Sequence, residues 1–140
     1  MARLILDTGV LIDAARRRLD LATLIAQDDI ALPAISLTEY LAGVEIDPDP
    51  SRRATQRAFL EALLTATPVE DYTAKVVPHH VELLTHTRRT GRPRGSLDLI
   101  IAATARATDR TLLTTDTKAG FDDLPGVQVR IVTPGRRPTT

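Results

Sequence analysis

Short apolar runs alternate along this chain with longer stretches of helical character, and this alternation limits the possible folds more than any other feature. The run from Leu4 to Leu6 and the run from Thr111 to Leu113 are too short for buried helices and are typical of buried strands. Strands separated by helices favour a mainly parallel sheet that is covered on both faces. The predicted fold class is therefore α/β.

The predicted strands are short, and the predicted helices fill the intervals between them. The strands are expected near 4–6, 30–32, 67–69, 111–113 and 127–132, and the helices near 8–18, 19–26, 36–43, 51–64, 71–90 and 96–108. Pro33 should end the second strand, Ser51 should cap a helix, and Pro78 should disturb the helix that contains it. We expect a single domain over residues 1–133, followed by a basic, frayed tail over residues 134–140.

The composition narrows the class of protein. A chain of 140 residues with 43% hydrophobic content can form the core of one compact domain. The absence of cysteine excludes disulfides and thiolate zinc sites, and the formal net charge of +0 argues against coating nucleic acid by bulk charge. The amino terminus lacks the features of a signal peptide, and no apolar run approaches the ~20 residues that span a bilayer. We therefore expect a cytoplasmic protein without membrane attachment.

Four acidic residues stand at positions where chemistry is expected. Asp7 and Asp116 each follow an apolar strand, and ligands of open parallel sheets bind at the carboxyl ends of the strands. Glu39 lies one turn into a helix that follows a strand, so it can face the same edge. Asp98 is the one charge in a long apolar helical stretch, where an unpaired buried carboxylate would be very unfavourable.

Convergence of these four acids would demand cations. Two like charges ~5 Å apart repel by about 3 kcal/mol at an effective dielectric constant of about 20, and four charges make several such pairs. Hard carboxylate oxygens are typical ligands of Mg²⁺ or Mn²⁺, and two such ions ~3.5–4 Å apart can hold the attacking and leaving oxygens of a phosphodiester. The pattern is thus compatible with metal-dependent phosphodiester hydrolysis.

Each acid also has a purely structural interpretation. Asp7 can cap the following helix, and Ser36-x-x-Glu39 has the pattern of a capping box, in which the glutamate folds back onto the serine amide. Asp98 near a helix start interacts favourably with the helix dipole. Asp116 after two threonines can form an Asx-turn. No single acid distinguishes between the structural and the functional interpretation.

Taken together and in order, the segments around these acids resemble the PIN-domain family, and more narrowly the toxin nucleases of VapBC toxin–antitoxin operons. The resembling segments cover nearly the whole chain: Leu-Ile-Leu-Asp7-Thr8, Ile35-Ser-Leu-Thr-Glu39-Tyr, Gly91-Arg-Pro-Arg-Gly-Ser-Leu-Asp98-Leu-Ile-Ile-Ala-Ala, and Leu112-Leu-Thr-Thr-Asp116 with Phe121 after it. Each segment alone is weak evidence, whereas the ordered set is fairly specific.

The resemblance implies a Rossmann-like α/β/α domain with Mg²⁺- or Mn²⁺-dependent endoribonuclease activity, releasing 3′-hydroxyl and 5′-phosphate ends. It further implies a toxin that forms homodimers and is held inactive by a cognate VapB-type antitoxin. On this resemblance the catalytic and metal-binding residues are Asp7, Glu39, Asp98 and Asp116, and Thr8 helps to orient a ligand or water. Many members carry a small apolar residue where this chain has Arg94, which leaves the local surface there in question.

Arginines are expected to flank an acidic pocket that would otherwise repel RNA. Arg88, Arg89, Arg92 and Arg94 precede the helix of Asp98 and are candidates for contacts with RNA phosphates. The alternative is that they are solvated loop and helix-end charges. The other arginine clusters, at 16–18 and 52–57, are interpreted as exposed helix faces.

Two other enzyme classes place an aspartate after a first strand, and both fit this chain poorly. A haloacid-dehalogenase-type phosphatase needs a second aspartate two residues after the first, where this chain has Gly9. A response-regulator receiver has adjacent acids after the first strand, whereas Asp7 is followed by Thr8 and Gly9. The remaining alternative is a non-catalytic PIN-like module that binds RNA or acts as a scaffold.

Overall fold

The structure is a computed structural model that describes residues 1–135. Its strands are β1 (Arg3–Leu6), β2 (Asp29–Pro33), β3 (Val69–Glu70), β4 (Thr111–Thr114) and β5 (Val129–Ile131). Its α-helices are α1 (Thr8–Ala15), α2 (Leu21–Gln27), α3 (Ala34–Ile46), α4 (Pro50–Leu64), α5 (Val77–Thr90) and α6 (Ser96–Ala107), and a short 3₁₀ helix covers Phe121–Asp123.

All five strands join one parallel sheet in the order β3-β2-β1-β4-β5. The first strand of the chain is therefore central, with Leu4 opposite Ile30 of β2 and Leu6 opposite Leu113 of β4. The predicted parallel sheet is confirmed. The order also places the ends of β1 and β4 side by side, although more than 100 residues separate them along the chain.

Helices cover both faces of the sheet because successive side chains of a strand point to opposite faces. Leu4 and Leu6 pack in one core with residues of α1, α2, α3 and α4. Ile5 points the other way, into a second core built with α5, α6 and the 3₁₀ helix. The predicted α/β/α arrangement is therefore confirmed.

Two helix boundaries differ from the sequence prediction for identifiable reasons. Helix α1 ends at Ala15 and not at about 18, because the chain adopts a left-handed conformation at Arg17, with φ 60°. Helix α3 begins at Ala34, directly after Pro33, so Ser36 is inside the helix and does not cap it. The Ser36 hydroxyl instead donates to the buried Leu6 carbonyl at 3.3 Å, a contact between distant parts of the chain that sequence patterns do not contain.

The starts of α4 and α5 also differ from the prediction, and both follow the usual rules for helix N-termini. Asp49, and not Ser51, caps α4, since its carboxylate accepts from the Ser51 amide at 2.9 Å and Pro50 occupies the first turn. Helix α5 begins at Val77 and not near 71, so Pro78 lies in the first turn, where proline needs no amide partner and causes no irregularity.

A buried arginine ties the strands together at their amino ends. The side chain of Arg110, which precedes β4, is only 6% exposed. Its Nη1 donates to the Leu4 carbonyl of β1 at 3.1 Å and to the Asp29 carbonyl of β2 at 3.2 Å. One cation thereby satisfies carbonyls of two strands at the edge opposite to Asp7.

The end of the described chain lies against the loop after α1. The Gly135 amide donates to the Arg18 carbonyl at 2.9 Å. The rest of the predicted tail, residues 136–140, lies outside the described residues, and the boundary at 133 stays a prediction. Among residues 1–135, no helix combines the length and the apolar character needed to cross a bilayer.

Candidate metal centre

The carboxyl ends of β1 and β4 place two of the predicted acids at one edge of the sheet. Asp7 directly follows β1, and its amide donates to the Leu113 carbonyl of β4 at 3.0 Å. Asp116 follows β4 by two residues. Because neighbouring parallel strands end at the same edge, the two acids come close together despite their distance in sequence.

Asp7 is buried and firmly held. The residue is only 7% exposed to solvent. One carboxylate oxygen accepts from the Thr8 amide at 2.8 Å, and the other accepts from the Thr114 hydroxyl at 2.8 Å. Burial raises the pKa of Asp7, the two hydrogen bonds oppose that rise, and repulsion from Glu39 and Asp116 adds to it. Asp7 does cap α1, as one interpretation predicted, but this contact uses only one of its two oxygens.

Glu39 is positioned by a side chain of α1 and not by its own helix. The Thr8 hydroxyl donates to Glu39 Oε1 at 2.8 Å. The predicted capping box is wrong, because Pro33 occupies the N-cap position of α3 without a side-chain hydrogen bond and Ser36 is bonded to β1. Glu39 is therefore available to the cluster, and Thr8 links it to the end of β1.

Asp98 lies in the first turn of α6 and is half-buried. Its Oδ2 lies where a Cβ on Gly95 would stand only 3.0 Å away, so the glycine leaves room for this carboxylate. Burial raises the pKa of Asp98, and repulsion from Asp7, Asp116 and Glu39 raises it further. Hydrogen bonds are not among the causes of the shift. The favourable position at a helix start, the structural alternative for this residue, is also present.

Asp116 is the exposed member of the set. Its Oδ1 accepts from the amides of Lys118 at 2.8 Å and Ala119 at 3.1 Å, so the predicted Asx-turn is present. Its own amide donates to the Thr114 hydroxyl at 3.0 Å. The turn fixes the backbone of Asp116 close to the end of β4 and leaves the second oxygen free of these bonds.

The four acids act on one another electrostatically, but they do not converge on one point. Each of Asp7, Glu39 and Asp116 contributes repulsion to the pKa of Asp98. Among residues 1–135, however, no three carboxylate or histidine side chains lie close enough together to hold a single metal ion. The donor chemistry fits a hard divalent cation, since all four groups are carboxylates.

Two of the four candidate arginines form ion pairs in the segment that precedes α6. Arg92 Nη1 lies 2.7 Å from Asp123 Oδ2, and Arg94 Nη2 lies 3.3 Å from the same oxygen. The Arg94 side chain is only 14% exposed and packs against Gly120. The departure from the small apolar residue of the resembling family thus gives Arg94 a structural contact. Both side chains thus have contacts within the protein, and their role in binding RNA stays a prediction.

The other two arginines remain exposed. Arg88 and Arg89 lie in the last turn of α5, where cations interact favourably with the helix dipole. Within residues 1–135 neither forms a salt bridge to a carboxylate. Their role in binding RNA stays a prediction.

A groove between α1, α3 and α4 has Glu39 among its lining residues, and the sequence did not indicate which residues would form it. It has a volume of about 600 Å³ and is lined by apolar, neutral polar and charged side chains. Ile12, Tyr40 and Val44 form its apolar part, and Arg16 lies on its rim. Gly43 also lines the groove, and an added Cβ there would meet no atom within 4 Å.

Sequence reasoning missed two residues that hold charged groups of this region. Thr114 bonds to both Asp7 and Asp116, and the Thr-x-Asp spacing after a strand is the signal that was available. Asp123 pairs with two arginines from a loop 29 and 31 residues earlier, and no local pattern indicates this contact.

Most of the chain matches the model of a known family. The family model described as "PIN domain" matches residues 4–127, which include all four acids. The chain belongs to the PIN-domain family. This PIN domain is 27% identical over 135 residues to a protein named "tRNA(fMet)-specific endonuclease VapC" from Shigella flexneri, covering 91% of this chain and 96% of the relative.

Solved structures of similar fold come from the same group. This PIN domain matches a chain of VapBC2 from Rickettsia felis with a TM-score of 0.82 and 26% identity, over 92% of this chain and 98% of that chain. That structure is described as bound to a DNA fragment from its promoter. It also matches a chain of VapBC-5 from Mycobacterium tuberculosis, described as a toxin–antitoxin system, with a TM-score of 0.74 and 28% identity over 95% and 99% of the two chains. Both resemblances extend over nearly the entire length of each chain.

Proposed function

We propose that this PIN domain is a metal-dependent endoribonuclease that serves as the toxin of a toxin–antitoxin pair. One observation carries the proposal. Four carboxylates come from four separate segments of a PIN domain, Asp7, Glu39, Asp98 and Asp116. Threonine hydroxyls hold Asp7 and Glu39 at the carboxyl end of β1, and the charges of the other acids raise the pKa values of Asp7 and Asp98. Acids with raised pKa values clustered at such an edge are typical of functional sites.

The four carboxylates would hold Mg²⁺ or Mn²⁺. Bound divalent ions lower the pKa of water and neutralise charge that develops on a phosphodiester. Asp7 supplies a buried carboxylate that two hydrogen bonds hold, and Asp98 and Glu39 supply half-buried ones. In the hydrolysis a water oxygen attacks phosphorus in line and the bond from phosphorus to the 3′ oxygen breaks. The products are a 3′-hydroxyl and a 5′-phosphate.

Transfer RNA is the substrate class that we propose, since a relative is named as an endonuclease specific for tRNA(fMet). The exposed Arg88 and Arg89 are proposed to contact RNA phosphates, with a smaller contribution from the ion-paired Arg92 and Arg94. A protein acting on transfer RNA works in the cytoplasm, which is the proposed location. The homodimer that the resemblance implied stays a prediction that sedimentation velocity measures.

The decisive experiment compares Asp98→Asn with wild-type protein on tRNA(fMet) in the presence of Mn²⁺. Wild-type protein should cleave, EDTA should stop cleavage, and Asp98→Asn should reduce cleavage by at least about 100-fold because one metal ligand is lost. Asp109→Asn is a matched control, because Asp109 is exposed at the opposite edge of the sheet and its left-handed backbone, with φ 54°, accepts asparagine. Full activity in Asp98→Asn would refute the metal centre. RNA binding without cleavage by wild-type protein would favour the non-catalytic alternative.

The proposed antitoxin partner would place an amphipathic helix in the groove between α1, α3 and α4. The groove is lined by apolar and charged side chains, and Glu39 is one of them, so an occupant would cover part of the acidic site. The similar structures are described as VapBC complexes, which supports a protein partner.

Gly43 allows this docking site to be blocked without disturbing the fold. Gly43→Leu would project a side chain into the groove, where an added Cβ meets no neighbour within 4 Å, and replacing glycine inside a helix should not destabilise it. We expect Gly43→Leu to cleave RNA normally but to resist inhibition by the purified antitoxin encoded beside this chain. Ala42→Leu adds the same side chain outside the groove and should remain inhibited. Equal inhibition of the two variants would place the partner elsewhere.

A further inference from the structure

Thr114 connects two of the proposed metal ligands through a single hydroxyl group. It is the last residue of β4 and is fully buried, with 0% exposure. Its Oγ1 lies 2.8 Å from Asp7 Oδ2 and 3.0 Å from the Asp116 amide nitrogen. The two partners come from opposite ends of the chain, so this hydroxyl is a direct polar link between them.

The direction of both hydrogen bonds follows from the chemistry of the groups. An amide can only donate, so the Asp116 N–H donates to Oγ1. A carboxylate accepts, so the one hydroxyl hydrogen of Thr114 points to Asp7. A hydrogen bond to a charged acceptor is stronger than one between neutral groups. The hydroxyl therefore has one orientation that satisfies both neighbours.

The backbone of Thr114 is fixed as well. Its carbonyl accepts from the Val132 amide at 2.9 Å, next to the pairing between Thr114 and Ile131 of β5. A hydroxyl on a buried, β-branched residue at the end of a paired strand has little freedom to move. Thr114 therefore holds Asp7 and the first residue of the Asx-turn at a set separation.

We infer that Thr114 is a positioning residue, which orients the Asp7 carboxylate and the Asp116 backbone so that both carboxylates can bind the same divalent cations. The inference rests on the proposed metal centre and concerns how that centre is assembled. Groups that hydrogen-bond to metal ligands typically contribute about 10- to 100-fold to metal affinity. The Thr114 hydroxyl bonds to the side chain of Asp7 and to the backbone amide of Asp116, so removing the hydroxyl should affect both ligands.

The test is the affinity for Mn²⁺, measured by titration calorimetry on the metal-free full-length protein. Thr114→Val keeps the shape and removes the hydroxyl, and we expect Mn²⁺ to bind at least about 10-fold more weakly. Thr114→Ser keeps the hydroxyl and should restore most of the affinity. Thr104→Val is the matched control, because Thr104 is also buried, at 2% exposure, but its hydroxyl bonds to Ile100 within its own helix. Wild-type affinity in Thr114→Val would overturn the inference.

A second measurement uses the wild-type protein, so its result does not depend on whether a variant folds. The Asp116 amide has its acceptor in a buried hydroxyl, so its hydrogen should exchange with solvent at least about 10-fold more slowly than the amide of the exposed Thr117. Equal exchange rates would also overturn the inference. Both measurements are independent of RNA cleavage. Failure to cleave RNA would therefore count against the proposed function alone, and failure of these measurements would count against Thr114.

Discussion

Replacing Asp7 by asparagine should change the stability of the protein in opposite directions with and without metal. Burial and neighbouring acids raise the pKa of Asp7, so its charged form is less favourable in the folded protein than in the unfolded chain. Asparagine has nearly the same shape and still offers an oxygen to the Thr8 amide. In EDTA at neutral pH, Asp7→Asn should therefore unfold at a higher temperature than the wild-type protein.

With Mn²⁺ the order should reverse, and the size of the reversal can be worked out. A ligand at 100 times its Kd stabilises the protein that binds it by about 2.7 kcal/mol. For 140 residues, an unfolding entropy of about 2.1 cal/mol/K per residue gives roughly 0.3 kcal/mol/K in total. Saturating Mn²⁺ should thus raise the Tm of the wild-type protein by about 9 °C. Asp7→Asn should gain much less.

Differential scanning calorimetry of both proteins, in EDTA and in Mn²⁺, measures the four Tm values. Asp109→Asn serves as the control, since it should gain as much from Mn²⁺ as the wild-type protein does. The reasoning fails if Asp7→Asn is stabilised by Mn²⁺ to the same extent as wild type, because Asp7 would then not be a metal ligand. It also fails if Asp7→Asn is less stable in EDTA, because the buried charge would then not be unfavourable.

The pH dependence of stability in EDTA is an independent test of the raised pKa of Asp7. An acid whose pKa is raised by folding binds its proton more tightly in the folded state, so stability falls as the pH rises from the unfolded value, about 4, through the folded pKa. Asp7 and Asp98 both have raised pKa values and should both contribute to this fall. The decline of Tm between acidic and neutral pH should be smaller in Asp7→Asn than in wild type.

Two further predictions concern the arginines. Arg110→Met removes a charged donor from the carbonyls of Leu4 and Asp29 and should destabilise the fold by about 3 kcal/mol, or roughly 10 °C in Tm. The control is Arg3→Met, which should shift Tm little because the Arg3 side chain is 52% exposed. Equal shifts in the two variants would contradict the role assigned to Arg110. The double variant Arg88→Ala, Arg89→Ala should lower the slope of log affinity for RNA against log salt concentration by about 1.4. The slope is measured by fluorescence anisotropy in a cleavage-deficient background, and Arg52→Ala should leave it unchanged. An unaltered slope in the double variant would exclude these two arginines from the RNA contact.

Much of the fold could be predicted because its signals are local and repeated. The apolar runs at β1 and β4 have no plausible alternative to buried strands, and the parallel sheet follows from the helices between them. The start of α6 at Ser96 was also predicted correctly. Strand order was not predicted, since the adjacency of β1 and β4 depends on packing across more than 100 residues.

The site could be predicted in outline only. Their positions after strand ends indicated Asp7 and Asp116. The capping-box pattern of Glu39, in contrast, wrongly indicated that this side chain caps its own helix. That pattern failed because the Ser36 hydroxyl bonds to a carbonyl of β1, and a contact between distant segments is invisible in a local motif. The same reason applies to Arg94, whose ion pair with Asp123 has no signature in sequence.

The groove and two of the proposed catalytic acids come from different halves of the chain, which has a consequence for the order of synthesis. The groove proposed for the partner is lined by residues 12–56, all from the first half of the chain, whereas Asp98 and Asp116 come from the last third. At about 5–20 residues per second, a ribosome needs roughly 3–12 s to proceed from Gln56 to Asp116. During every round of translation, the proposed inhibitor surface is therefore synthesised several seconds before the set of proposed catalytic acids is complete.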